Sequence, residues 1–120
     1  MEVAERRLRM REEAIARARR YVEEAASRLG PLTAILVGSY ARGDFNRWSD
    51  VDVLIVSPRL PENPLRRLDL LQDPRHPEIE PIPITPREYR RQLSLGTPLI
   101  REAMEKGVVL RDDLRLVSRR

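Results

Sequence analysis

Between Glu2 and Leu29 the chain contains neither glycine nor proline, and Leu8, Ile15, Val22 and Leu29 recur every seven residues with Ala18 and Ala25 between them. Apolar positions three and four apart form one stripe along a helix, so the pattern predicts a single long amphipathic helix ended by Gly30-Pro31. The opposite face carries Arg and Glu at spacings suited to i,i+4 pairs, such as Glu13 with Arg17. The stripe is expected to pack against a sheet, with the N-terminal part open to a partner helix.

Past that stop the period changes. Thr33-Ala-Ile-Leu-Val37 is a short apolar run followed at once by Gly38-Ser39, and it reads as a buried strand. Tyr40 to Gly43 predicts one helical turn, Asp44 to Ser49 a polar loop holding Phe45 and Trp48, and Val51 to Val56 a second buried strand closed by Ser57-Pro58. Pro58 to Pro64 contains three prolines and reads as a loop, and Leu65 to Gln72 as a short helix ended before Pro74. Glu78 to Thr85 is expected to be a strand at a sheet edge, because Pro81 and Pro83 cannot donate to a ladder. Thr85-Pro86-Arg87-Glu88 carries the signals of a helix start. That helix should run to about Leu95, followed by a helix over Pro98 to Lys106, a stop at Gly107 and a strand over Val108 to Leu110, with a frayed end from Leu114. The order of elements predicts an α/β (α+β) fold, a small mixed sheet flanked by helices, as one domain over residues 1–120.

Composition narrows the chemistry. The chain is 41% hydrophobic and 35% charged, and its apolar runs are far shorter than the ~18 residues of a membrane span. Met1 to Met10 is charged throughout, so no secretory signal is expected and the reading is cytoplasmic. There is no cysteine, and the one histidine, His76, is expected to be exposed. Disulfides, zinc–thiolate sites and thiol nucleophiles are thereby excluded, and any metal must be held by oxygen. All but one of the 23 basic residues are arginine, yet 19 acids are interspersed with them, so the net charge of +4 describes a mixed surface. Basic and aromatic residues are not interleaved as in nucleic-acid readers, which argues against that class.

The stretch from Gly38 to Asp52 carries the chemistry. A strand that ends in Gly38-Ser39 and turns straight into a helical turn presents free backbone N–H groups and a hydroxyl to an anion. Asp50 and Asp52 lie two apart at the start of a strand, so both carboxylates point to one side. Two hard oxygen ligands facing one way suit Mg²⁺ bridged to substrate phosphates. Arg42 is positioned either to lean on the phosphates or to brace the loop by pairing with Asp44. Arg47 and Trp48 sit where a base or acceptor could stack, or where Trp48 could cap the core.

Gly38-Ser39, ten intervening residues and Asp50-Val51-Asp52 together resemble the signature of the DNA polymerase β-like nucleotidyltransferases. Gly-Ser-Tyr-Ala-Arg-Gly with Ser-Asp-Val-Asp-Val-Leu-Ile-Val most resembles their minimal nucleotidyltransferase (MNT) branch, over roughly Thr33 to Glu88. The resemblance implies Mg²⁺-dependent transfer of a nucleoside monophosphate, AMP from ATP, to an acceptor hydroxyl. It implies that Gly38 and Ser39 hold the β,γ-phosphates, that Asp50 and Asp52 bind metal, and that Glu80 completes the metal site and helps deprotonate the acceptor. In the commonest family pattern that third carboxylate is aspartate. Glu80 is expected at the buried edge of its strand and Glu78, on the same face, in solvent. MNT proteins are commonly paired with a helical HEPN protein as antitoxin and toxin, so the implied partners are ATP or another NTP and a HEPN-like protein whose tyrosine is modified. An MNT-like antitoxin that neutralises its partner by covering it is the alternative, and an oligomer is compatible with either.

Overall fold

In the computed structural model, which describes residues 2–117, four strands form one mixed sheet in the order β3-β2-β1-β4. The elements run α1 (Val3–Leu29), β1 (Thr33–Val37), α2 (Gly38–Arg42), β2 (Val51–Val56), α3 (Pro64–Leu71), β3 (Ile79–Ile84), α4 (Pro86–Leu95), α5 (Pro98–Lys106) and β4 (Val108–Asp112). β1 pairs antiparallel with both β2 and β4, and β2 pairs parallel with β3 across the α3 crossover. β3 is an edge strand, as its prolines require.

The alternation along each strand splits the core in two. Ala34 and Leu36 of β1 with Val51, Val53 and Ile55 of β2 face α1 and α3, where Ala14, Ala18, Tyr21, Val22, Ala25 and Leu29 lie at helical spacing, alanines interspersed with larger side chains. Ile35, Val37, Leu54 and Val56 face the other way and are covered by Ile84, Tyr89, Ile100 and Ala103 around α4 and α5. The predicted stripe of α1 holds from its middle onward, but Leu8 is exposed. At ~1.5 Å per residue the 27-residue helix is about 40 Å long, so its first turns overrun the sheet. Arg17 does not turn to Glu13; it reaches across to Glu78 at 3.5 Å.

Local signals account for most element ends. Thr85 and Glu88 form a reciprocal capping box on α4, Asn63 caps α3, and proline opens α3, α4 and α5. Arg67 on α3 is nearly buried because its guanidinium donates to the Pro61 carbonyl at 2.6 Å and to Glu88 at 2.7 Å, joining α3 to the start of α4. Two expectations need correction. Residues 114–117 are not frayed: the Asp112 carboxylate accepts the N–H groups of Leu116 and Val117, and Val117 is buried under the second core layer, while residues 118–120 lie outside the described ones. His76 is not exposed: its ring packs edge-on against Tyr21 and its Nε2 lies 3.1 Å from Glu24. Among the described residues no helix is long and apolar enough to cross a membrane.

Candidate active site

β1 ends in extended backbone at Val37, and the next residue, Gly38, has φ +77° as the chain turns into α2. The side chain missing there is required to be missing. A Cβ on Gly38 would overlap Oδ2 of Asp52, and a left-handed φ adds strain for any L-residue. Strand register explains the approach, since Val37 lies opposite Asp52 on β2, and Asp52 in turn lies opposite Glu80 on β3. Gly38, Asp52 and Glu80 therefore form a row across three strands at one end of the sheet, with Asp50 just before β2. The row lies on the face that α4 and α5 cover further along, where Leu54 and Val56 continue from Asp52.

Asp52 is half-buried, whereas Asp50 and Glu80 are exposed. Burial pushes the Asp52 carboxyl above the usual range, and the charges of Asp50, Glu80 and Glu102 push the same way against a smaller opposing pull from Arg42. Two expectations about β3 change here. Glu80 does not sit at a buried edge: it is exposed near the start of β3, whereas Ile84 further along the same strand is buried in the core layer of α4 and α5. Glu78 is not free in solvent either; it precedes the strand, its carbonyl accepts Val51 N–H at 2.9 Å, and its half-buried carboxylate pairs with Arg17.

Three residues that the sequence did not single out hold the Gly38–Arg42 turn. Glu102 of α5 accepts Gly38 N–H at 2.7 Å and Arg42 Nη1 at 2.7 Å. Arg42 also reaches Asp44 at 3.2 Å, so here it braces the loop, and both acids raise its pKa. Arg11 donates to the carbonyls of Tyr40 at 2.7 Å and Ala41 at 3.1 Å, while Arg7 donates to those of Gly43 at 2.9 Å and Phe45 at 2.8 Å. A one-turn helix leaves its last carbonyls without intrahelical partners. Two guanidiniums one turn apart on α1 supply those partners, and Arg7 lies 4.4 Å over the Phe45 ring, which stacks on Tyr40.

A family model described as the nucleotidyltransferase domain matches residues 17–115, which contain the whole row of Gly38, Asp52 and Glu80. The chain belongs to this nucleotidyltransferase family. Its fold is that of the polymerase β-like superfamily, in minimal form. A crystal structure of a candidate nucleotidyltransferase from Sulfolobus solfataricus is similar over 86% of this chain and 84% of that one, with a TM-score of 0.62 and 23% identity. No curated protein matches.

Two further features of the nucleotidyltransferase bear on the site. Its loop between α2 and β2 is held by Asn46, whose side chain accepts Trp48 N–H at 2.8 Å, and by Ser49, whose Oγ accepts Asn46 N–H at 2.9 Å. This loop projects Trp48, 82% exposed with Arg47 5.8 Å from its ring, so Trp48 does not cap the core; Phe45 does. The Asp50, Asp52 and Glu80 side chains are not closed to ligating distance. Among the described residues the one group that is, Glu24, Asp73 and His76, lies elsewhere, on α1 and the loop before β3. There Arg75 bridges Asp73 at 2.9 Å and Glu24 at 3.0 Å and holds the Asp73 carboxyl down to about 2, so its carboxylates already have a cation. A cleft of about 420 Å³ runs from this group to Glu80, lined also by Asp69 and Gln72.

Proposed function

We propose that the chain is an Mg²⁺-dependent nucleotidyltransferase that transfers AMP from ATP to a hydroxyl of a partner protein, acting in the cytoplasm as the antitoxin beside a helical HEPN-like toxin. The observation that carries the transfer reading is the row across the sheet, in which Asp52 is fitted against the bare backbone of Gly38 on one side and paired in register with Glu80 on the other. An all-oxygen donor set of three acids at one strand end matches the chemistry of a hard divalent cation. Asp50 and Asp52, with Glu80, would hold it; when bound it would supply charge neutralisation of the triphosphate at the reacting phosphorus.

The chain's own groups divide the remaining work. Gly38 N–H and the Ser39 hydroxyl hold the β,γ-phosphates, and Arg42 adds a guanidinium within reach of the same turn. Glu80, exposed beside an open cleft, is placed to take the proton of an incoming hydroxyl. The acceptor oxygen then bonds to the α-phosphorus, the α–β bridging bond breaks, and pyrophosphate leaves with that bond's electron pair. Incubating the full chain with α-labelled ATP, Mg²⁺ and the product of a neighbouring reading frame tests the proposal. Label on a partner tyrosine is the expected result, and label on nothing, with ATP intact, refutes it.

The alternative, an antitoxin that neutralises its partner by covering it, needs only a contact surface. Val3 and Leu8 are exposed on the overrunning start of α1, which suits a surface that binds a helical partner. Neutralisation of the partner by an Asp50→Asn, Asp52→Asn double variant would select that reading.

A further inference from the structure

Glu102 lies on α5, which runs close to the sheet: a Cβ on Gly107 at its end would meet Cγ2 of Ile35 at 2.6 Å. From this position its two carboxylate oxygens divide their bonds. Oε2 takes the backbone N–H of Gly38, and Oε1 takes Nη1 of Arg42, each at 2.7 Å, the short range of charge-assisted hydrogen bonds. It holds this place although its charge repels Asp52. One amide and one guanidinium that donate to two oxygens of a single anion are the donors a phosphate group uses when two of its non-bridging oxygens are bound. The side chain is 28% exposed, so it has a path into solvent, along the groove of about 440 Å³ that it lines with Arg42, Arg101 and Glu105.

We propose that Glu102 is a built-in competitor for the triphosphate: its carboxylate sits in the seat of a phosphate, and nucleotide enters by exchange with it. This rests on the nucleotidyl-transfer reading above. In the exchange Gly38 N–H and Arg42 pass from a carboxylate to phosphate oxygens, and Glu102 turns out into the groove. Because the resident anion is tethered, its effective concentration is high, and a small free anion gains nothing by replacing it. A triphosphate does, since it carries more charge and reaches Ser39 as well. The device therefore keeps the seat closed to inorganic phosphate and open to polyphosphates.

The test uses the full chain labelled with ¹⁵N, titrated with Mg²⁺ and inorganic tripolyphosphate, and compares wild type with E102A, E102Q and E105Q. E105Q removes a neighbouring charge on the same helix without touching the seat. E102A is expected to bind about 10-fold or more tightly, the change for one charge-assisted hydrogen bond that no longer competes. E102Q, which keeps an acceptor but no charge, should fall between E102A and wild type, and E105Q should stay within about 2-fold of wild type. The Gly38 amide proton should shift in E102A and move back when tripolyphosphate is added. Thermal unfolding identifies a variant that fails to fold, and E102Q, equal in volume, then stands in for E102A. Equal or weaker binding by folded Glu102 variants overturns the inference while leaving the transfer reading intact. An equal gain in E105Q reduces the effect to general charge and also overturns it. Absence of binding by all four proteins at millimolar tripolyphosphate refutes nucleotide binding itself, and the exchange with it.

Discussion

Replacing Gly38 with alanine separates the two reasons the position is bare. The left-handed backbone there costs an L-residue about 1–2 kcal/mol, and overlap of the new Cβ with the Asp52 carboxylate adds about 1–3 kcal/mol, as for other overpacked sites. Gly43 is the internal control: its φ is +94°, but nothing lies within 4 Å of a Cβ built there, so Gly43→Ala carries the strain alone. Both substitutions recover about 0.4–1 kcal/mol from a stiffer unfolded chain. The difference between them should therefore report the contact with Asp52, about 1–3 kcal/mol, which is a large part of a marginal folding free energy. Urea unfolding of Gly38→Ala, Gly43→Ala, Asp52→Ala and the Gly38→Ala/Asp52→Ala double variant completes the measurement. Removing the Asp52 carboxylate should restore most of the loss at Gly38, giving a favourable coupling of about 1–3 kcal/mol in the cycle. Equal losses at Gly38 and Gly43, or a coupling below about 0.5 kcal/mol, would mean that Asp52 does not rest against the Gly38 backbone. The row across the sheet would then not exist as described.

Asp52→Asn should abolish transfer yet stabilise the unliganded protein. Because the native carboxyl is raised, the folded state binds its proton more tightly than the unfolded chain, so wild type loses stability as pH rises from 3.8 through the native value; the gain in the variant should be full at pH 7 and vanish near pH 3 in parallel urea titrations. Arg67→Met should have the opposite pH signature: Glu88 is held below its usual value chiefly by the Arg67 hydrogen bond, so the contribution is present above pH 4.5 and fades as pH falls through the native Glu88 value. Its total cost should be about 2–3 kcal/mol, mostly from stranded carbonyls since Glu88 is partly solvated, and a loss under 1 kcal/mol at pH 7 would contradict this. Glu80→Gln should slow single-turnover AMP transfer by at least ~10²-fold, while Glu78→Gln should leave the rate nearly unchanged and lower stability slightly through loss of the Arg17 pair; the reverse ranking would move the base to Glu78. Arg11→Gln should raise KM for ATP more than it lowers kcat, with Arg11→Lys restoring part of the loss, because it holds the Tyr40 and Ala41 carbonyls and does not meet the substrate.

What the sequence made legible is what depends on near neighbours. The strand ending in Gly38-Ser39, the strand opening at Asp50 and Asp52, the edge character of β3 and the Thr85–Glu88 cap all follow from periods and caps within about ten residues. Parity relates Glu80 only to its own strand, the register that sets it opposite Asp52 comes from the paired sheet, and parity gives a direction and not an exposure. Burial needs cover over the face: Ile79 and Ile84 on the same edge strand are buried, whereas Glu80 lies at the end of the sheet beyond the cover of α4 and α5. Leu8 shows the same limit on a helix, for a heptad continues past the end of the surface it was selected to cover.

The parts of the site that were not legible are the polar contacts made over long chain separations. Glu102 meets Gly38 across 64 residues, and Arg11 meets Tyr40 across 29, with no periodicity to mark either. Arg7 and Arg11 do sit one turn apart on one helix face, but in a chain whose basic residues are nearly all arginine that spacing is common. The burial of His76 has a related cause, since its partners Tyr21 and Glu24 lie on α1 and only the packing of α1 beside the β3 loop brings them to it. A turn as short as Gly38–Arg42 has too few internal hydrogen bonds to fix itself. Its amide at one end and its carbonyls at the other must be held by whatever charge the tertiary structure delivers. The Gly38–Arg42 turn thus has an acid at its donor end and arginines at its acceptor end. In the proposed exchange the two are not equivalent: arginines on the carbonyls can stay when phosphate binds, whereas an acid on the amide has to leave.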